Sequence, residues 1–181
     1  FVGPSHVSVI TGSKIYEPIV EKFNMPIVVA GFEPVDVMEY ILRIVRQVKR
    51  GEAKVENQYT RAVTREGNIH AQALVDKYFI RRPIFRWRGI GDIPNSALMI
   101  KPEFSHLDAE VVFEKYLPKE SIDDHKLCIC GQILKGLAKP YECKVFGKAC
   151  IPSSPMGSCM VSSEGACAAY FKYGALLAKG K

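Results

Sequence analysis

Cysteine is missing from the first 127 of the 181 residues, which removes thiolate chemistry and disulfides from that stretch. No apolar run approaches the roughly 18 residues needed to cross a bilayer, so no membrane-spanning helix is expected. Residues 1–10 have neither the basic start nor the continuous apolar stretch of a signal peptide, and the expected location is cytoplasmic. A first residue Phe1 rather than Met fits a fragment or a processed product. G-x-x-x-x-G-K-[ST] does not occur, nor does GxGxxG after a strand. The nearest approach to a phosphate loop is Thr11-Gly12-Ser13-Lys14, and a capped helix start explains that better. What is present, 48% hydrophobic and 24% charged residues, suits one ordinary domain, alone or with a small appendage. It excludes a disordered chain, a collagen and a disulfide mini-protein.

Charge and cysteine divide the chain unevenly. Residues 1–127 carry 18 Lys+Arg against 17 Asp+Glu, whereas residues 128–181 carry 7 against 2. All six cysteines, Cys128, Cys130, Cys143, Cys150, Cys159 and Cys167, lie in the basic tail. Two regions are therefore expected, 1–122 and 123–181.

The first region alternates strand and helix patterns. Residues 6–11 and 25–31 are short β-branched runs, the second closed by Gly31, as in buried parallel strands. Between them, residues 14–23 suit a helix capped by Ser13, with Ile15, Ile19 and Phe23 on one face. Pro34 suits a first helical turn, and Val37, Ile41, Ile44, Val45 and Val48 recur at helical spacing until Gly51. Residues 55–63 read as a third strand, 68–78 as a helix, and 83–87 and 98–100 as extended. The fold class this predicts is α/β, a parallel sheet with crossover helices of the doubly wound type, joined to a small irregular or helical Cys-rich region.

In such sheets ligands meet the loops at the carboxyl ends of strands. Glu33, in Gly31-Phe32-Glu33-Pro34, stands at a helix N-terminus, where the dipole favours a carboxylate. The same position would let it hold a partner or ligand. Arg81, Arg82, Arg86 and Arg88 surround Trp87, the single tryptophan. Interleaved arginine and aromatic residues can serve single-stranded nucleic acid. A nearly charge-balanced first region offers no wider footprint for it, so nucleic acid is not expected as a partner, and the cluster is expected to anchor a partner or pair with local acids.

The tail concentrates the chemistry. Without a secretion signal, six cysteines in about 40 residues favour metal or redox use over structural disulfides. Zinc ligands usually come as two C-x₂₋₄-C knuckles, and here the one close pair is Cys128-Ile129-Cys130. Wide, uneven gaps suit a larger inorganic body, and a [4Fe–4S] cluster takes four thiolates, leaving two cysteines over for a dithiol couple. Tail glycines would let backbone N–H groups approach sulfur. Lys135, Lys139, Lys144, Lys148 and Lys172 would offset thiolate charge and lower thiol pKa values. A zinc ribbon with two spare thiols, or a structural disulfide with free thiols, remain open on residue types alone.

Residues 31–36 (GFEPVD), Arg86-Trp87-Arg88-Gly89 with Ile93-Pro94, and the tail from CICGQ to KYG resemble the HypD family, accessory proteins that mature [NiFe]-hydrogenases. The resemblance runs from Phe1 to about Gly174 and corresponds to the C-terminal half of that family. Its cluster pattern, C-x12-C-x6-C-x16-C, is met by Cys130, Cys143, Cys150 and Cys167. The resemblance thus implies those four as ligands of a [4Fe–4S] cluster, with Cys128 and Cys159 as a neighbouring redox thiol pair. It implies a scaffold that assembles the Fe(CN)2CO unit with a HypC-type chaperone and a HypE-type cyanide donor, rather than a stand-alone enzyme. Glu33 would face the cleft where iron is handled. The family's iron-handling cysteines have no counterpart in residues 1–127, so this chain alone would lack thiolates for the Fe(CN)2CO cargo. Gln132 and Lys144 depart from the family's more usual Glu and Pro. A structural metal-binding docking module without a redox role is the alternative.

Overall fold

The computed structural model describes residues 1–118 and 124–178, which form two compact units, Phe1–Phe79 and Ile80–Lys181. The composition boundary between residues 122 and 123 lies outside the described residues.

The first unit is α/β, as expected. Three parallel strands, β1 (Val2–Pro4), β2 (Ile27–Ala30) and β3 (Val55–Asn57), lie in that order. Register pairs Val2 with Val28 and Ile27 with Val55. All four residues of the central strand are buried, which is why its sequence is continuously apolar rather than alternating.

Residues 6–11 correct the strand expectation, because Ser5–Thr11 is a helix, α1, that begins directly after Pro4. The β-branched Val7, Val9, Ile10 and Thr11 suggested a buried strand. Instead Ser5 and Ser8 turn inward, and the Ser8 hydroxyl donates to the Pro4 carbonyl at 2.7 Å and lies 3.0 Å from the Tyr16 hydroxyl. Sheet pairing is satisfied one turn earlier, by Val2–Pro4.

The helix expected over 14–23 splits into a 3₁₀ turn, Lys14–Tyr16, and α2 (Glu17–Phe23), ended by Asn24 in the left-handed region. Ser13 precedes the turn without a capping hydrogen bond. Val20 is the residue it buries, while Ile15, Ile19 and Phe23 are exposed. Next, α3 (Pro34–Arg50) starts at its proline and stops at Gly51, whose φ of +66° suits glycine. Its buried side is polar, carrying Asp36 and Gln47, while Met38, Ile41, Val45 and Val48 face outward. Gln47 bonds Glu56 of β3 at 2.8 Å, and Arg43 reaches Glu39 and Glu56. Beyond β3, Gln58–Val63 is a turn rather than a continued strand, with Val63 N–H donating to Tyr59. The helix α4 (Ile69–Tyr78) is capped by Asn68, whose side chain accepts from Ala71 N–H at 3.0 Å.

From the unit boundary onward, β4 (Phe79–Arg81) pairs with β7 (Leu98–Ile100), and β5 (Ile84–Trp87) forms an antiparallel hairpin with β6 (Gly91–Pro94). The extended segments are therefore strands, but outside the parallel sheet. A short α5 (Ala109–Val112) follows. The rest is α6 (Cys130–Leu134), α7 (Ser158–Val161), α8 (Ala166–Ala178) and the turns between them. Among the described residues no helix is long and apolar enough to cross a membrane.

Candidate functional site

The second unit's buried cluster is built largely of sulfur. Cys130, Cys143, Cys150, Cys159 and Cys167 are buried together with Ile133, Val145, Met160 and Ala168, and Cys128 packs against them. All six thiols are free.

Local structure explains each placement. Cys130 opens α6, and Gly131 beside it presses against the hairpin turn, where a Cβ would come 1.9 Å from the Gly89 carbonyl oxygen. Cys143 ends the 3₁₀ turn Pro140–Glu142, which closes when Lys139 N–H donates to the Glu142 carboxylate at 3.1 Å. Cys150 closes the turn from Val145, and its sulfur accepts from Met156 N–H at 3.3 Å. Cys159 lies on α7 and Cys167 on α8, two elements locked together because Gly165 leaves no room for a side chain over the Cys159 carbonyl. The Cys159 sulfur stands 2.8 Å from that of Cys130, and Cys159 N–H donates to the same sulfur at 3.3 Å. Cys128 sits where a Cβ on Gly157 would fall 2.3 Å from its sulfur.

Burial pushes the Cys128 and Cys167 thiols up to about 11, and neighbouring sulfurs add to the effect. Cys159 is pushed up further by the same causes. Lys135, Lys139, Lys144, Lys148 and Lys172 are all exposed. Their expected lowering of thiol pKa is not what these three cysteines show, because desolvation outweighs a solvated charge. Among the described residues no three His, Cys, Asp or Glu side chains are arranged to hold one metal ion. The donor set is soft, closed to solvent and supplied with N–H donors to two sulfurs, which fits a thiolate-held inorganic centre gripped from several turns.

A second constellation occupies the carboxyl ends of the three strands. Phe32, following β2, stacks on His6, following β1, at 5.6 Å between ring centres. Asp36 is buried and accepts from both ends of the Arg61 guanidinium, at 2.9 and 2.6 Å, and from Gln58 at 2.8 Å. Arg61 also reaches Glu33 at 2.9 Å and lies over the Tyr59 ring. Hydrogen bonds donated by Arg61 first, with a further one from Gln58, hold the Asp36 carboxyl well below the usual carboxylate range. Gly31 leaves space for this, since a Cβ there would come 2.2 Å from Asp36 Oδ2.

Residues 1–174 match the HypD family, described as the hydrogenase formation hypA family. The chain belongs to the HypD family. It is 54% identical over 175 residues to hydrogenase maturation factor HypD of Cupriavidus necator, covering 96% of this chain and 45% of that protein. Over 174 residues it is 52% identical to HypD of Rhizobium leguminosarum bv. viciae, and 50% to HypD of Azotobacter vinelandii, with the same coverage. The chain spans about half the length of these curated relatives, in keeping with the expected match to the C-terminal half of the HypD family.

Of the residues expected from the sequence, the structure gathers all six cysteines in one place. It places the Cys159 sulfur 2.8 Å from that of Cys130, and Cys128 packs against the same core. Glu33 does lie at a helix N-terminus beyond a strand, exposed and tied to Arg61. The TGSK segment carries no anion site: Ser13 and Lys14 N–H groups donate to Thr64 and Arg65, and Lys14 pairs with Glu66 at 3.3 Å. The arginines around Trp87 meet acids, Arg86 with Asp92 in the same hairpin, and Arg82 with Glu110 and Arg88 with Asp124 far along the chain. Sequence reading missed Asp36, Arg61, Asp124 and Ser158. Asp36 had a signal, since it lies one helical turn after Glu33 within a HypD-like stretch; the other three have partners too distant in sequence to be read.

Proposed function

We propose that this chain is the iron–sulfur part of a hydrogenase maturation factor, with Cys130, Cys143, Cys150 and Cys167 holding a [4Fe–4S] cluster. The observation that carries the reading is the convergence of five buried cysteines in one core of a HypD-family chain. When bound, such a cluster supplies electrons one at a time. Cys128 and Cys159 are the two thiols left over. As a disulfide they would take up two electrons, from an external low-potential protein donor, and two protons to become thiols. The full-length factor would use that change while assembling Fe(CN)2CO with a HypC-type chaperone and a HypE-type cyanide donor, in the cytoplasm. Glu33 and its Arg61 partner would present the polar rim of the cleft.

One feature favours a second reading. Cys159 is buried and its thiol is pushed up, which makes it a poor exchanging nucleophile and suits a centre that only folds the unit. Anaerobic purification followed by iron, sulfide and zinc analysis tests the cluster itself; about four irons per chain are expected, and a single zinc would overturn it. Counting free thiols at Cys128 and Cys159 before and after reduction separates the two roles. A change in count supports the redox scaffold, whereas an unchanged count assigns the metal a purely structural one.

A further inference from the structure

Next to the cysteine core lies a carboxylate that the proposed chemistry leaves unused. The Asp124 side chain is 8% exposed and accepts from Arg88 Nε at 2.7 Å and from Ser158 N–H at 3.0 Å. Ser158 Oγ stands 3.3 Å from Asp124 Oδ2 on one side and 3.0 Å from Cys130 Sγ on the other. Gly89 seals the arrangement, since a Cβ there would lie 2.6 Å from Asp124 Oδ2 and 3.3 Å from Ser158 Oγ. A buried carboxylate is costly unless it is held, and here an arginine and a backbone amide hold it. It in turn fixes a hydroxyl that touches Cys130.

A hydroxyl has one proton and here two acceptors. Asp124 keeps two N–H donors without it, whereas the Cys130 sulfur, which receives the Cys159 amide at 3.3 Å and lies 2.8 Å from the weakly donating Cys159 thiol, gains a stronger donor in the hydroxyl. We propose that Ser158, oriented by Asp124 and Arg88, is a positioning residue that donates its hydroxyl to the Cys130 thiolate and sets the reduction potential of the centre Cys130 helps to hold. This rests on the reading of Cys130 as a cluster ligand. A donor to a ligand sulfur withdraws electron density from it and stabilises the reduced, more negative state. Removing the donor makes that state harder to reach.

The test compares wild type, Ser158→Ala and Ser158→Thr as anaerobically purified protein, by iron and sulfide content and by redox titration of the visible absorption. Ser158→Ala should keep its iron and shift the midpoint to more negative potential, and Ser158→Thr, which keeps the hydroxyl, should restore it. Loss of the cluster in the alanine variant with retention in the threonine variant supports the same requirement. Equal potentials in all three proteins, or loss of the cluster in both variants, overturn the role of Ser158 while leaving the cluster reading intact. A wild type holding zinc and no acid-labile sulfide removes that reading itself.

Discussion

Gly131 and Gly174 are both helical glycines, and replacing each with alanine should have opposite effects. Alanine gains up to about 1 kcal/mol over glycine in a helix, so an unobstructed site is stabilised. At Gly174 the nearest atom to a new Cβ would be Tyr170 Cδ1 at 3.7 Å, an ordinary contact with a side chain. At Gly131 it would be the Gly89 carbonyl oxygen at 1.9 Å, against 3.4 Å for ordinary contact, a shortfall of 1.5 Å. Overpacking costs about 1–3 kcal/mol, and backbone on both sides puts Gly131 near the upper end. Set against the helix gain, Gly131→Ala should lose about 2 kcal/mol, roughly thirtyfold in the folding equilibrium. Gly174→Ala should gain up to about 1 kcal/mol. Urea unfolding followed by circular dichroism measures both. A Gly131→Ala midpoint at or above wild type would refute the close approach of the hairpin turn to α6.

Alanine at Cys130, Cys143, Cys150 or Cys167 should abolish iron binding, and at Cys128 or Cys159 leave it near normal; equal iron loss in Cys159→Ala and Cys143→Ala contradicts the ligand set. Asp36 is held below its unfolded pKa, so its contribution to stability is complete above about pH 4 and fades as pH falls below that value. Asp36→Asn should flatten this acid limb of the stability curve, and an unchanged pH profile would sink the argument. Glu33→Ala should cost below about 1 kcal/mol, since it removes an exposed pair and a helix-terminal acid, yet impair hydrogenase maturation in the full-length context. Full maturation activity would return Glu33 to a helix-start role. Association with maturation partners should slow as salt rises, and slow further at low salt in Lys139→Glu/Lys148→Glu, both exposed cations; indifference to both changes refutes a steering role.

Elements with a local cause were legible. The proline start and glycine stop of α3 could be read directly, as could the apolar β2 and the Asn68-started helix. Where tertiary pairing decided the outcome, reading failed. Ser5–Thr11 is helical because Val2–Pro4 already satisfies the sheet. The polar side of α3 is buried because Glu56, Gln58 and Arg61, all later in the chain, complete it. The six cysteines and Glu33 were visible as residue types, but their geometry was not. Asp124 reaches Ser158 across 34 positions and Arg88 across 36, spacings that no periodicity reveals.

The cysteine core has a consequence for the lifetime of the molecule. Five of its nine buried residues are cysteines, so the proposed ligand set and the hydrophobic core would be largely the same side chains. Oxidation of any of them to a sulfinate would put a permanent negative charge among Ile133, Val145 and Met160, and that step is not reversed by ordinary thiol reductants. Chemical damage and unfolding thereby become one event. A chain oxidised before the proposed centre is complete would not persist as a folded copy. It would open and expose backbone to proteases, so oxygen history would be converted into abundance without any separate sensor.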